Sequence, residues 1–279
     1  MPFCGRPEVP GTASGRFLEP TAETMKLDTR FLRRAKIAGK AFLDLANWRE
    51  VLPKAARGES VTEIQLRDGS VLTAPPENAL WPHFSDIWYH RAYTMHCRIP
   101  RGSVVVDVGA NVGVFSMLAA RAARIVYALE PSSANFARLT ANTSGRTNIV
   151  PLNLACSQFD GQVSLDLSSD PVSYSLSSKG GTDHDEAVNA VCLATLFDRL
   201  QIARCDFLKL DCEGCEFEII LNGDATLMRR VDRIVLEYHD HLSGRFSHRD
   251  LLQSLQGFGF RTVSYSPNGT QGMIAATRV

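Results

Sequence analysis

The chain has 279 residues, 44% of them hydrophobic and 22% charged, ordinary for a globular protein and enough for one large domain or one domain with an N-terminal extension. Lys plus Arg and Asp plus Glu each number 30, so no net positive charge singles out nucleic acid as a partner. No apolar run reaches the ~20 residues of a transmembrane segment, and Met1 to Pro10 has no leader-like stretch, so a cytoplasmic location is expected.

Residues 1–24, rich in Pro, Gly, Thr and Ser, are expected to form a flexible tail. Residues 25–99 read as an N-terminal helix, a β-hairpin and a cover helix. Asp28 to Glu50 has helical periodicity through Phe31, Leu32, Ala35, Phe42, Leu45 and Trp48. Thr62, Ile64 and Leu66 alternate with polar residues, and Asp68-Gly69 predicts a two-residue turn into Ser70–Thr73. Pro75-Pro76 ends the hairpin. Phe84 to Cys97, with Trp88, Tyr89 and Tyr93, is predicted helical.

Residues 100–279 alternate strand and helix. Strands are predicted at Val104–Val106, Ile125–Leu129, Ile149–Leu154, Phe207–Leu210 and Ile234–Leu236. Helices are predicted at Val112–Ala123, Ser132–Ser144, from Glu216 and from Ser247, and the stretch before Phe207 reads as an irregular insert. This pattern specifies an α/β fold with a mostly parallel sheet. Phe260–Tyr265 and Met273–Thr277, joined through Asn268-Gly269, close the chain as a C-terminal antiparallel hairpin, which all-parallel dinucleotide domains lack.

Strand ends in such sheets bind ligands. The first strand runs into Asp107-Val108-Gly109-Ala110-Asn111-Val112-Gly113, an acid followed by a small-residue turn. Gly109 suits a strained turn, Gly113 a close approach to ligand, and Asp107 a cationic group. The G-x-G-x-x-G pattern fails at Asn111 and Val114, so no pyrophosphate is indicated. Glu130, before Pro131 and Ser132, is placed to accept two ribose hydroxyls. Asn153, Leu154 and Ala155 should border a base.

These residues, with Phe207-Leu208-Lys209-Leu210-Asp211-Cys212-Glu213-Gly214-Cys215-Glu216, Asn222-Gly223 and Glu237, resemble the FkbM family of S-adenosylmethionine-dependent methyltransferases. The resemblance spans roughly Asp68 to Val279. It implies a Rossmann-like class I methyltransferase fold, S-adenosylmethionine as cofactor, and methyl transfer to a hydroxyl oxygen on a sugar, glycolipid or natural-product acceptor. Two features depart from the family: Cys212 and Cys215 stand at positions usually aliphatic or small, and the polar insert Ser168 to Asn189 does not match. The Cys-x-x-Cys spacing invites a zinc or redox reading, but the seven scattered cysteines of the chain read better as reduced thiols.

An alcohol needs a base to become a good nucleophile. Asp211, Glu213, Glu237 and His239 are the candidate catalytic residues, with Asp211 also bordering the cofactor and Lys209 offsetting charge. Asp211, Glu213 and Glu237 are also the donor type for magnesium, although activity without a metal is expected. A small-molecule or glycan acceptor is expected, and no nucleic acid. Two alternatives stay open: a nicotinamide-dependent oxidoreductase, and a non-catalytic protein that binds S-adenosylmethionine.

Overall fold

The computed structural model describes residues 22–166, 175–177, 185–213 and 215–279. The chain divides into two compact units with the boundary after Gly39, and the second, Lys40–Val279, holds the sheet and the site. The tail expected over residues 1–24 falls almost wholly outside the described residues.

Helix α1 spans Ala22–Asp44 and α2 spans Trp48–Arg57, so the single helix expected over Asp28 to Glu50 is two. The break has a tertiary cause. Buried Leu45 forms an antiparallel bridge with Leu66, the Ala46 amide donates to the Gln65 carbonyl at 2.7 Å, and Asn47 Oδ1 accepts from the Gln65 amide at 2.9 Å. Those bonds outcompete helix continuation. Strands β1 (Glu63–Gln65) and β2 (Val71–Thr73) form the expected hairpin. Its turn holds three residues rather than two, because the Leu66 amide closes onto the Ser70 carbonyl with Gly69 at φ 87°.

Helix α3 (Leu80–Phe84) continues directly into a π-helical segment, Ser85–His90. The helix predicted to reach Cys97 stops there, because Arg91 takes a left-handed φ of 64°. Trp88 stacks on Phe84 and donates Nε1–H to the Val114 carbonyl at 3.2 Å, which seats this segment on the core.

The main sheet contains β3 (Val104–Val108), β4 (Ile125–Leu129), β5 (Ile149–Leu152), β10 (Phe207–Leu210), β11 (Arg233–His239), β12 (Phe260–Asn268) and β13 (Gln271–Arg278). Their order is β12-β13-β11-β10-β3-β4-β5, with β13 antiparallel to both neighbours and every other described pairing parallel. The hairpin therefore folds its second strand between β11 and β12, the topology of class I methyltransferases. Strand order reverses between β3 and β10, the place where such sheets open a binding crevice.

Helices α4 (Val114–Ala119), α5 (Ser133–Thr143), α6 (Leu193–Arg199), α7 (Cys215–Leu221), α8 (Ala225–Arg229), α9 (Asp240–Ser243) and α10 (His248–Gly257) connect the strands. The helix predicted from Val112 begins two residues later, because Gly113 at φ 93° cannot belong to it. Val104, Val106 and Val108 share a core with Phe197, Phe217, Leu251 and Leu255, and strand alternation turns Val105 and Asp107 to the opposite face.

The insert is a second sheet, not irregular chain. Strands β6 (Ala155–Cys156), β7 (Gly161–Asp166), β8 (Ser175–Ser177) and β9 (Asp185–Val191) pair in the order β6-β9-β7-β8. Its own core is small, formed by Ala155, Leu165, Val188 and Ala190. Polar residues such as Gln162 and Asn189 pair across it, which removes the apolar alternation that marks a strand in sequence. Much of Ser168 to Asn189 lies outside the described residues.

Candidate active site

A cavity of ≈ 420 Å³ opens at the carboxyl ends of β3, β4, β10 and β11. That size is within the range of small-molecule clefts. Its two ends differ in chemistry.

At one end, Gly109, Ala110, Asn111, Glu130, Pro131, Leu154 and Ala155, all singled out in the sequence, line the wall. Glu130 is 5% exposed and both its oxygens are fixed by backbone donors, the Asn111 amide at 2.8 Å and the Ser132 amide at 3.0 Å. Burial pushes its carboxyl up to about 7 against the pull of those two amides. Each oxygen keeps a lone pair for a further donor. Gly109, at φ 74°, is required by its neighbour: a Cβ there would overlap the carbonyl oxygen of Asp211.

Four expected residues stand outside the cavity wall. Asp107 is fully buried, accepts from Ser116 Oγ at 2.6 Å and lies 3.1 Å from Lys209 Nζ, so it is the counter-ion of a buried lysine rather than a ligand group. Gly113 makes room for α5, since a Cβ would meet Leu139 at 2.9 Å and Thr143 at 3.3 Å. Ser132 caps α5 and holds Glu130. Asn153 donates Nδ2–H to the Glu130 and Pro131 carbonyls, both at 2.9 Å, bracing the loop from behind.

The other end gathers charge. Lys209 pairs in register with Asp107 on β3 and with Val235 on β11. Leu210 pairs with Leu236, so the next residues, Asp211 and Glu237, emerge side by side. Lys209 Nζ donates to the Gly109 carbonyl at 2.7 Å and lies 3.4 Å from Asp211 Oδ2. Tyr93, from the segment after the π-helix, donates to Asp211 Oδ2 at 2.7 Å and its oxygen lies 3.3 Å from Glu237 Oε2. Burial works against the Asp211 charge, but Lys209 and the Tyr93 hydroxyl outweigh it and hold the carboxyl below its ordinary range. Burial, then the Asp211 charge, push Glu237 up to about 7.

His239 is 2% exposed. Its Nδ1 lies 3.0 Å from Glu216 Oε1, and its Nε2 lies 3.4 Å from Glu213 Oε2 and 3.9 Å from Glu237 Oε1. Burial opposes its charge, yet Glu216, Glu213 and Asp211 raise it to about 9, so the ring is a cation at neutral pH. Glu213 holds its place with a left-handed φ of 51°, a strained conformation of the kind stored at functional sites. Ligand atoms of Asp211, Glu213 and His239 fall within 4.8 Å of one another, a metal-type group in which His239 replaces the Glu237 expected from sequence. Among the described residues no cysteine joins such a group. Cys215 is buried, while Cys212 reaches the cavity wall with its Sγ 3.6 Å from Glu216 Oε2.

Tyr93, which the sequence placed in the predicted cover helix, lines the cavity, and so does Asn78, which sequence reasoning missed. Nothing local marks Tyr93; it lies 118 residues from Asp211. Lys209 did carry a signal, a lone cation inside an apolar strand.

The chain matches the methyltransferase FkbM domain over residues 107–262, more than half its length. It belongs to the FkbM methyltransferase family. The match removes the nicotinamide-dependent alternative, in accord with a sheet that ends in an inserted antiparallel strand. A relative from Pseudomonas aeruginosa, the AMB antimetabolite synthetase AmbE, is 27% identical over 239 residues; the match covers 71% of this chain and 11% of that much longer protein. Among solved structures, a SAM-dependent methyltransferase from Aquifex aeolicus is 11% identical with a TM-score of 0.42, covering 71% of this chain and 94% of its own. Trm5b from Pyrococcus abyssi is 16% identical with a TM-score of 0.38, covering 78% of this chain and 56% of its own. Among the described residues no helix is long and apolar enough to cross a membrane.

Proposed function

We propose that this FkbM-family chain transfers a methyl group from S-adenosylmethionine to a hydroxyl oxygen of a sugar, glycolipid or natural-product acceptor. What supports the reading is one cavity that joins a nucleoside-type end at Glu130 to a base-bearing end at Asp211 and Glu237. When bound, S-adenosylmethionine supplies an electrophilic methyl on a sulfonium. The residues fit it: Glu130 would take the ribose hydroxyls, Leu154 and Ala155 would flank the base, and the carboxylates of Asp211 and Glu237 face the end where positive charge must sit.

Glu237 is the base. Its carboxyl titrates near 7, so it is partly ionised at neutral pH and still basic enough to accept a hydroxyl proton. Asp211, held by Tyr93 and Lys209, is too weak a base and serves as a fixed charge. Protonated His239 balances the surrounding carboxylates and fills the role of a metal ion among them, so turnover should survive exhaustive EDTA treatment. Loss of turnover on chelation, restored by magnesium, would instead put a metal ion among Asp211, Glu213 and His239. The AMB antimetabolite synthetase among the relatives is consistent with a small-molecule acceptor.

The deciding experiment supplies S-adenosylmethionine labelled in the methyl group to the protein and a fractionated cell extract. Base-stable label in a small-molecule or glycan fraction is expected. Label in RNA or protein would overturn the acceptor class, and no label with no S-adenosylhomocysteine formed would overturn methyl transfer.

A further inference from the structure

The cover contributes a polar group to the cavity that the chemistry above does not use. Asn78 is 4% exposed and lines the cavity. Its Nδ2–H donates to Asn135 Oδ1 at 3.1 Å, but its Oδ1 is buried with no hydrogen-bond partner. Buried acceptors are rarely left unpaired, and those that are call for an explanation such as a bound group.

The backbone is built to hold this side chain in place. Asn78 ends a 3-10 turn, Pro76–Asn78, whose last amide bonds to the Pro75 carbonyl at 3.0 Å. The next residue, Ala79, sits at φ 43°, a left-handed conformation costly for alanine. Both devices point the chain sharply from the hairpin into α3. Asn135 belongs to the first turn of α5, five residues after Glu130, so the pair stands at the Glu130 end of the cavity rather than at the carboxylate end.

We propose that Asn78 Oδ1 accepts a hydrogen bond from a ribose hydroxyl of the bound nucleoside, so that the cover, and not the sheet alone, reads the cofactor. This rests on the nucleoside reading of the cavity. Glu130 and Asn78 then approach the ribose from the sheet and from the cover, and Asn135, by accepting the Asn78 Nδ2–H, leaves the Asn78 oxygen as the free acceptor of that amide.

Calorimetry with the full chain tests it, using S-adenosylhomocysteine and its 2′-deoxy and 3′-deoxy analogues. Asn78→Ala should weaken S-adenosylhomocysteine roughly fivefold to tenfold. For the analogue lacking the hydroxyl that Asn78 contacts, wild type and variant should bind alike. Asn78→Ser, which keeps an acceptor oxygen and disturbs packing less, should recover part of the loss and stands in if the alanine variant does not fold. An unchanged affinity in a folded variant, or an equal loss with all three ligands, overturns the proposal. If wild type binds none of them, the nucleoside reading itself fails, an outcome distinct from failure of Asn78 alone.

Discussion

The two ends of the cavity are assembled in different ways. At the nucleoside end, Asn111, Glu130 and Ser132 lie within a short stretch of chain, and backbone amides do much of the work. At the reaction end, Tyr93, Asp211, Glu216, Glu237 and His239 come from distant segments and hold one another by side-chain bonds and charge. The first arrangement follows from strand-turn-helix geometry. The second exists only once the sheet register and the cover are in place. A site of the first kind tolerates neighbouring substitutions and a site of the second kind does not, because each charge there is set by the others.

The two ends touch at Gly109, and the largest effect is expected there. Gly109→Ala forces a Cβ onto the Asp211 backbone at a left-handed φ, and should cost about 4 kcal/mol or more of stability in chemical denaturation. A loss under about 1 kcal/mol would mean that the ends are not joined in this way. Next, Asp211→Ala should lower kcat by on the order of a hundredfold to a thousandfold in a folded protein, with little change in S-adenosylhomocysteine affinity. Near-normal turnover would remove Asp211 from the reaction end.

Glu130→Ala should instead weaken S-adenosylhomocysteine about tenfold by calorimetry. Because the wild-type carboxyl titrates near 7, wild-type affinity should also strengthen as pH rises through that value, and Glu130→Gln should abolish this dependence. A flat wild-type profile would show that Glu130 binds in one protonation state throughout.

The smallest effect concerns stability. The His239 ring is raised from an ordinary 6.5 to about 9 in the folded protein. Its contribution is therefore fully present below the lower value and is lost as pH rises through the upper one. The melting temperature of wild type should fall across that window, and His239→Gln should flatten the fall. An unaltered slope would place the titration elsewhere.

Much of the nucleoside end was legible in sequence. An acid after a β-branched strand, glycines at a turn and Glu130-Pro131 are local patterns whose geometry is nearly fixed by chain stereochemistry. Yet Asp107 and Gly113 carried roles that such patterns cannot reveal. Asp107 turned inward because Lys209 on the adjacent strand supplies a buried cation, and Gly113 serves α5 rather than a ligand. The second sheet escaped notice because its strands pair polar residues, and Asn78 because nothing near it in sequence marks it.

The sequence by itself determined the alternation of strands and helices, the family, the crevice at the β3 tip and the acids that end β4, β10 and β11. Periodicity and turn chemistry act over a few residues, so they survive in a linear reading. Only the tertiary structure decided which acid is buried, which keeps its proton near neutrality, and that Tyr93 and Asn78 reach the cavity. Those outcomes depend on burial and on charges brought together across more than a hundred residues, which no local pattern encodes.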